Sequence, residues 1–133
     1  NKKKEKMSKN KQIKEVSNLE GFGDSFGYPK FNASVPIEDM CEQLISTGPG
    51  VYFFHDLRGI HYIGESTDIK SRFKSHIRRE KNKKLIKKIN TAFGRMNFSW
   101  VKTKSHMQAL IFEKKWIRLF KPECNEIIFK TTN

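Results

Sequence analysis

A chain of 133 residues has room for one domain with a modest core and an attached arm. Its 27 lysines and arginines against 14 acids leave a net charge of +13 and an isoelectric point near 9.9. That excess favours polyanionic partners, nucleic acid first, because phosphate contacts dominate its binding energy. No run approaches the roughly 18 apolar residues of a membrane span, and no helix offers a broad, unbroken apolar face to a bilayer. Cys41 and Cys124 stand far apart, which fits neither a disulfide framework nor a zinc site and points to a reducing, intracellular compartment. In a bacterium that would be the cytoplasm or nucleoid.

Residues 1–17, NKKKEKMSKNKQIKEVS, carry seven lysines against two glutamates and read as a flexible basic tail. The chain opens on Asn1 rather than methionine, which leaves an upstream start or a cleaved targeting segment open. From 18 to 34, Gly21, Gly23, Gly27 and Pro29 interrupt Phe22, Phe26, Tyr28 and Phe31, the pattern of a loop held down by its aromatics. SVPIEDMCEQLIST reads as a helix with Pro36 in its first turn and acids just behind. Residues 18–47 are thus an arm with one helix, and 48–133 the main domain. Two strands at about 50–55 and 60–64 form a hairpin across Asp56, Leu57, Arg58 and Gly59. A helix follows from about Asp68 to Glu80, with Ser66 or Thr67 to cap it and Ile69, Phe73 and Ile77 as its buried stripe. KNKKLIKKINTAFGRM gives a second, strongly basic helix ending at Gly94. NFSWVKT alternates as a strand with Phe98 and Trp100 on one face, and SHMQALIFEKKWIRLF is a long helix stopped by Lys121 and Pro122, before an extended end through NEIIF.

Several polar residues sit where packing alone does not place them. Arg72 and His76 are four apart and share a helix face. Glu113 falls inside the arc of Ala109, Trp116, Ile117 and Phe120, opposite Lys114, Lys115 and Arg118. A carboxylate there needs a partner, either an internal cation or a metal ion. Tyr52 and Tyr62 lie on adjacent strands next to glycines, and Gly64 before the helix leaves room for a phosphate to approach the backbone and the helix N-terminus. Asn125 follows the Lys-Pro break in KPECNEI.

In order, GVY, YIG, a helix with arginine and histidine, a helix glutamate and a final asparagine resemble the GIY-YIG nuclease domain over about 48–128. The similarity is greatest to the N-terminal nuclease of the UvrC-type excinucleases and its stand-alone Cho-type relatives, carried by PGVYFFHD, YIGESTDIKSRFKSHI and ALIFEKKWIRLFKPECN. The resemblance implies an α+β fold, a small three-stranded antiparallel sheet flanked by helices, and metal-dependent cleavage of DNA in repair. It assigns Tyr52 and Tyr62 to the motif tyrosines, Arg72 to the arginine of the first helix and His76 to a position that is histidine or tyrosine. Glu113 becomes the metal ligand and Asn125 the terminal asparagine. Two departures stand out: nine residues lie between Tyr52 and Tyr62, one fewer than usual, and Glu65 occupies a place often held by lysine. Glu65 could pair with a nearby lysine instead.

Those residue types suit phosphodiester hydrolysis. Glu113 offers a hard oxygen to Mg²⁺ or Mn²⁺, and Arg72 a permanent positive fork for phosphate oxygens. Tyr52 acts as base with His76 hydrogen-bonded to it, while Tyr62 orients water or phosphate; Tyr62 as base is the nearest alternative. RREKNKKLIKK, with Arg78, Arg79, Lys81, Lys83, Lys84, Lys87 and Lys88 against one acid, is a phosphate-contacting surface for DNA without sequence readout. The competing readings are a restriction or mobile-element nuclease, and a basic nucleic-acid-binding module that kept the fold without the chemistry.

Overall fold

Residues 27–125 are described in a computed structural model, in which the chain divides into two units, Asn1–Lys30 and Phe31–Asn133. The basic segment 1–17, most of the aromatic loop and the end through NEIIF lie outside the described residues. The second unit runs β1 (Ala33–Pro36), β2 (Gly50–Asp56), β3 (Gly59–Ser66), α1 (Ile69–Arg79), α2 (Lys83–Asn90), β4 (Asn97–Lys102) and α3 (His106–Phe120). The strands form one antiparallel sheet in the order β1-β4-β2-β3.

The sheet has four strands where three were expected, because SVPI pairs with β4 instead of opening a helix. Val35 turns inward opposite Phe98, and Pro36, which has no N–H to give, ends an edge strand. Helical spacing fails beyond it: Met40 is 64% exposed with φ at 65°, Leu44 is 70% exposed, and only a 3-10 turn forms at Cys41–Leu44.

β2 is interior and buried along nearly its whole length, so its two faces serve two layers. Tyr52 and Phe54 enter a core with Ile69, Phe73, Leu85, Phe98 and Trp100. Phe53, on the other face, meets Trp116 of α3 edge-on at 5.4 Å. The short hairpin is accommodated by an irregularity between Phe54 and His55: Tyr52 pairs with Gly64 and Phe54 with Tyr62, then His55 with Ile60. Both tyrosines thereby stay on one face, ring centroids 6.2 Å apart. Asp56 fixes the turn, accepting from Arg58 N at 2.8 Å, from the Arg58 guanidinium at 2.7 Å and from His61 Nε2 at 2.8 Å. In α1 the third buried position is His76, not Ile77, which is 47% exposed; 69, 73 and 76 follow the 3.6-residue period more closely than a strict four.

Candidate active site

α1 begins at Asp68 rather than at Ser66 or Thr67. Ser66 Oγ accepts from Asp68 N at 2.9 Å, and Asp68 Oδ1 accepts from Gly48 N at 2.8 Å. The N–H groups of Ile69 and Lys70 donate to the carbonyls of Gly48 and Ser46 at 3.0 and 3.1 Å. The loop before β2 thus takes up these donors, and none of the three is left for a phosphate. From this anchored start Arg72, His76 and Glu80 recur every four residues along one face of the helix.

That face meets the hairpin at Tyr52. The phenol is fully buried, and its Oη lies 2.7 Å from His76 Nε2. A Cβ built on Gly64 would come 2.3 Å from this same oxygen, so the space left by the glycine is filled by Tyr52 rather than held open for phosphate. Burial pushes the Tyr52 phenol well above its usual range; Tyr62 adds to this, and the charge and hydrogen bonding of Arg72 oppose it. Tyr62 is half-buried and raised for the same first reason, with Tyr52 and Arg72 drawing it back. Burial lowers His76 while Glu80 raises it. Arg72 itself is exposed.

Glu113 is half-buried on α3. Loss of hydration, reinforced by the Glu65 carboxylate, lifts it to about 7, against the pull of Lys114, Arg72 and His106. Glu65 does not pair with a lysine: His106 Nε2, at the start of α3, holds it at 2.5 Å. Two carboxylates in one another's field, with only part of their charge offset, form a donor set suited to a hard divalent cation. Among the described residues no three His, Cys, Asp or Glu side chains form a metal cage. A few carboxylate oxygens are enough for Mg²⁺, which keeps most of its water.

Asn125 takes a structural place. Its Oδ1 accepts from Ile63 N at 2.8 Å and its Nδ2 donates to Ile63 O at 2.7 Å, while Cys124 N donates to His61 O at 3.0 Å. The segment after α3 thereby covers the outer edge of β3 between Tyr62 and Gly64. Asn125→Ala strands two backbone groups of a fully buried residue and is expected to cost about 2–4 kcal/mol in urea unfolding. Asn125→Asp, which cannot donate to Ile63 O, should not restore it.

Arg78, Arg79, Lys81, Lys83, Lys84 and Lys87 are exposed along the end of α1 and on α2. Lys88 differs: it is half-buried and pairs with Glu123 at 3.1 Å. Neither Cys41 nor Cys124 is bridged, and both are buried. Two groups at the site are not among the residues that the sequence singles out. Glu80 was signalled by its place four residues after His76. His106, 41 residues from Glu65, carried no local signal.

Residues 48–126 match the model of the UvrC-like GIY-YIG domain. The chain is 33% identical over 81 residues to UvrABC system protein C of a Hydrogenobaculum species, and 29% identical over 89 residues to that of Sodalis glossinidius. These alignments take in 60% and 63% of this chain and 14% of each relative, so the chain spans about one seventh of their length. Its fold is similar to that of the GIY-YIG N-terminal endonuclease domain of UvrC from Thermotoga maritima, solved with its catalytic magnesium. The TM-score is 0.55 and the identity 21%, over 67% of this chain and 99% of that one.

Proposed function

The chain belongs to the UvrC-like GIY-YIG domain family, and from that membership we propose that it is a metal-dependent endonuclease that hydrolyses DNA phosphodiester bonds in repair. One observation carries the reading: a fully buried tyrosine hydrogen-bonded to His76 lies beside Tyr62, the Arg72 guanidinium and the raised carboxylate of Glu113.

Glu113 would hold the divalent ion, Mg²⁺ or Mn²⁺, with Glu65 adding negative potential. When bound, that ion polarises the phosphate and eases departure of the leaving oxygen. The chain's own groups divide the remaining work. Arg72, exposed above the tyrosines, receives the phosphate oxygens and concentrates charge where the transition state develops it. Tyr62 presents the half-buried hydroxyl to the attacking water. Tyr52, enclosed behind it, accepts negative charge inward and leads it to His76. The two phenols act together, since Tyr62 has the access and Tyr52 the proton acceptor. Asn125 acts on this site by fixing the β3 backbone, not by touching substrate.

DNA lies along Arg78, Arg79, Lys81, Lys83, Lys84 and Lys87, where phosphate contacts position the duplex without reading its sequence. The affinity is expected to fall steeply with salt, by roughly 10³-fold or more between 50 and 200 mM if about six phosphates are engaged. Fluorescence anisotropy across that range measures it, and a flat response contradicts this surface. No helix among the described residues is long and apolar enough to cross a membrane. The test of the activity is nicking of supercoiled plasmid by the parent chain: cleavage with Mg²⁺ or Mn²⁺ and none with EDTA supports it, and intact plasmid with every metal refutes it.

A further inference from the structure

Glu80 is the single acid in a strongly basic run, yet it does not serve its charged neighbours Arg78, Arg79 and Lys81 in the chain. Its side chain is turned inward, 14% exposed, and Oε1 accepts from His76 Nδ1. Oε2 accepts from Asn82 N at 2.7 Å. Asn82 is fixed in turn, its Oδ1 capping α2 at Leu85 N (3.1 Å) and its Nδ2 donating to Cys124 O at 2.8 Å, beside the Asn125 clamp. Both oxygens of Glu80 are therefore held, and the brace reaches through two further elements to the strand that carries Tyr62.

A neutral imidazole has one N–H. Directed from Nδ1 at a carboxylate, that N–H leaves the Nε2 lone pair facing the Tyr52 hydroxyl 2.7 Å away. We propose that Glu80 is the positioning residue of a Tyr52–His76–Glu80 relay: it holds His76 as the Nδ1–H tautomer and offsets the charge formed when Nε2 takes the proton of Tyr52. This rests on the reading of the site as a phosphodiesterase. The attacking water gives a proton to Tyr62, Tyr62 gives its own to Tyr52, and Tyr52 gives its own to His76 Nε2, while the water oxygen bonds to phosphorus. As the P–O bond to the leaving group breaks, the departing oxygen takes a proton from bulk water, and His76 returns its proton to bulk water.

The groups facing His76 set the sign of its pH dependence. Phe54 and Tyr52 approach from β2, Tyr62 from β3, and Arg72 and Glu80 from α1 itself. Arg72 and the apolar surroundings oppose the imidazolium, and Glu80 is the group that favours it. Removing the Glu80 charge lowers the pH at which His76 becomes a competent acceptor. The acid limb of the rate profile then moves to lower pH even as the rate drops.

Two readouts on the full chain test this. In the ¹⁵N-labelled parent at pH 7.5, long-range ¹H–¹⁵N spectra should show His76 neutral and protonated at Nδ1. In Glu80→Gln that tautomer should give way to a mixture, and plasmid nicking should fall roughly tenfold to hundredfold, inside the 10²–10⁴-fold that positioned proton transfer supplies. DNA affinity should stay unchanged and the acid limb should shift downward. A parent whose His76 carries its proton on Nε2 overturns the relay, as does a Glu80→Gln enzyme with parental rate and profile. If Glu80→Gln does not fold, the parental tautomer alone decides. A parent with the Nδ1–H tautomer that cuts no DNA removes the catalytic role together with the nuclease reading, and is told apart by that spectrum.

Discussion

Tyr52→Phe is expected to lower plasmid nicking by roughly 10²–10⁴-fold, the share that positioned proton transfer supplies, while DNA affinity stays near that of the parent. The split follows from where the hydroxyl lies. Tyr52 has no exposed surface, so it makes no contact with DNA, and its only polar atom is committed to the interior at His76 Nε2. Phenylalanine keeps the ring that packs on Phe98 at 5.4 Å and fills the hollow over Gly64. The cost to folding is therefore small, about 1 kcal/mol for one buried hydrogen bond. Loss of DNA binding in this variant would make Tyr52 part of the interface. Full cleavage would remove it from the proton path and leave Tyr62 to act alone.

The second large effect concerns Glu113 and runs through stability as well as rate. Burial and Glu65 hold its carboxyl at about 7 in the folded chain, against an ordinary 4.5. Between those two values the folded state binds more proton than the unfolded one. Stability from this group is thus complete below about pH 4.5 and is lost as pH rises through 7. In EDTA the melting temperature of the parent should fall over that window relative to Glu113→Gln, which has no such proton to lose. Adding Mg²⁺ at pH 8 should restore the parent and leave the variant unmoved, because binding to the folded state alone raises stability by mass action. Nicking should vanish in Glu113→Gln at every pH. A parent and variant with parallel melting profiles would mean that the carboxylate is solvated and holds no ion.

How far the sequence revealed this arrangement depends on whether the deciding contact was local. The hairpin, α1 and α3 were legible because alternation, helical period and the Lys-Pro stop act within a few residues. β1 was not, since Val35 and Pro36 become a strand only by pairing with β4 some sixty residues later. The site residues were legible as a set of types in a fixed order, but their environments were not. Gly64 makes room for a tyrosine and not for phosphate, and the N-terminal donors of α1 are taken up by a preceding loop. Asn125 grips a strand edge, and Glu65 finds a histidine. Each of these rests on a contact between distant segments. Glu80 is the exception: its four-residue step from His76 is local and visible in the sequence, but its basic neighbours mask it as one more charge on a solvated face.

Everything turns on a phenol pair, a guanidinium and a carboxylate from separate segments meeting around one cation. The most direct measurement is paramagnetic broadening by Mn²⁺ in the labelled full chain. Signals of Glu113, Glu65, Arg72 and Tyr62 should be lost first, those of Lys84 and Lys87 should persist, and Glu113→Gln should retain them all. Broadening that spares Glu113 and Tyr62, or that survives the substitution unchanged, contradicts the account.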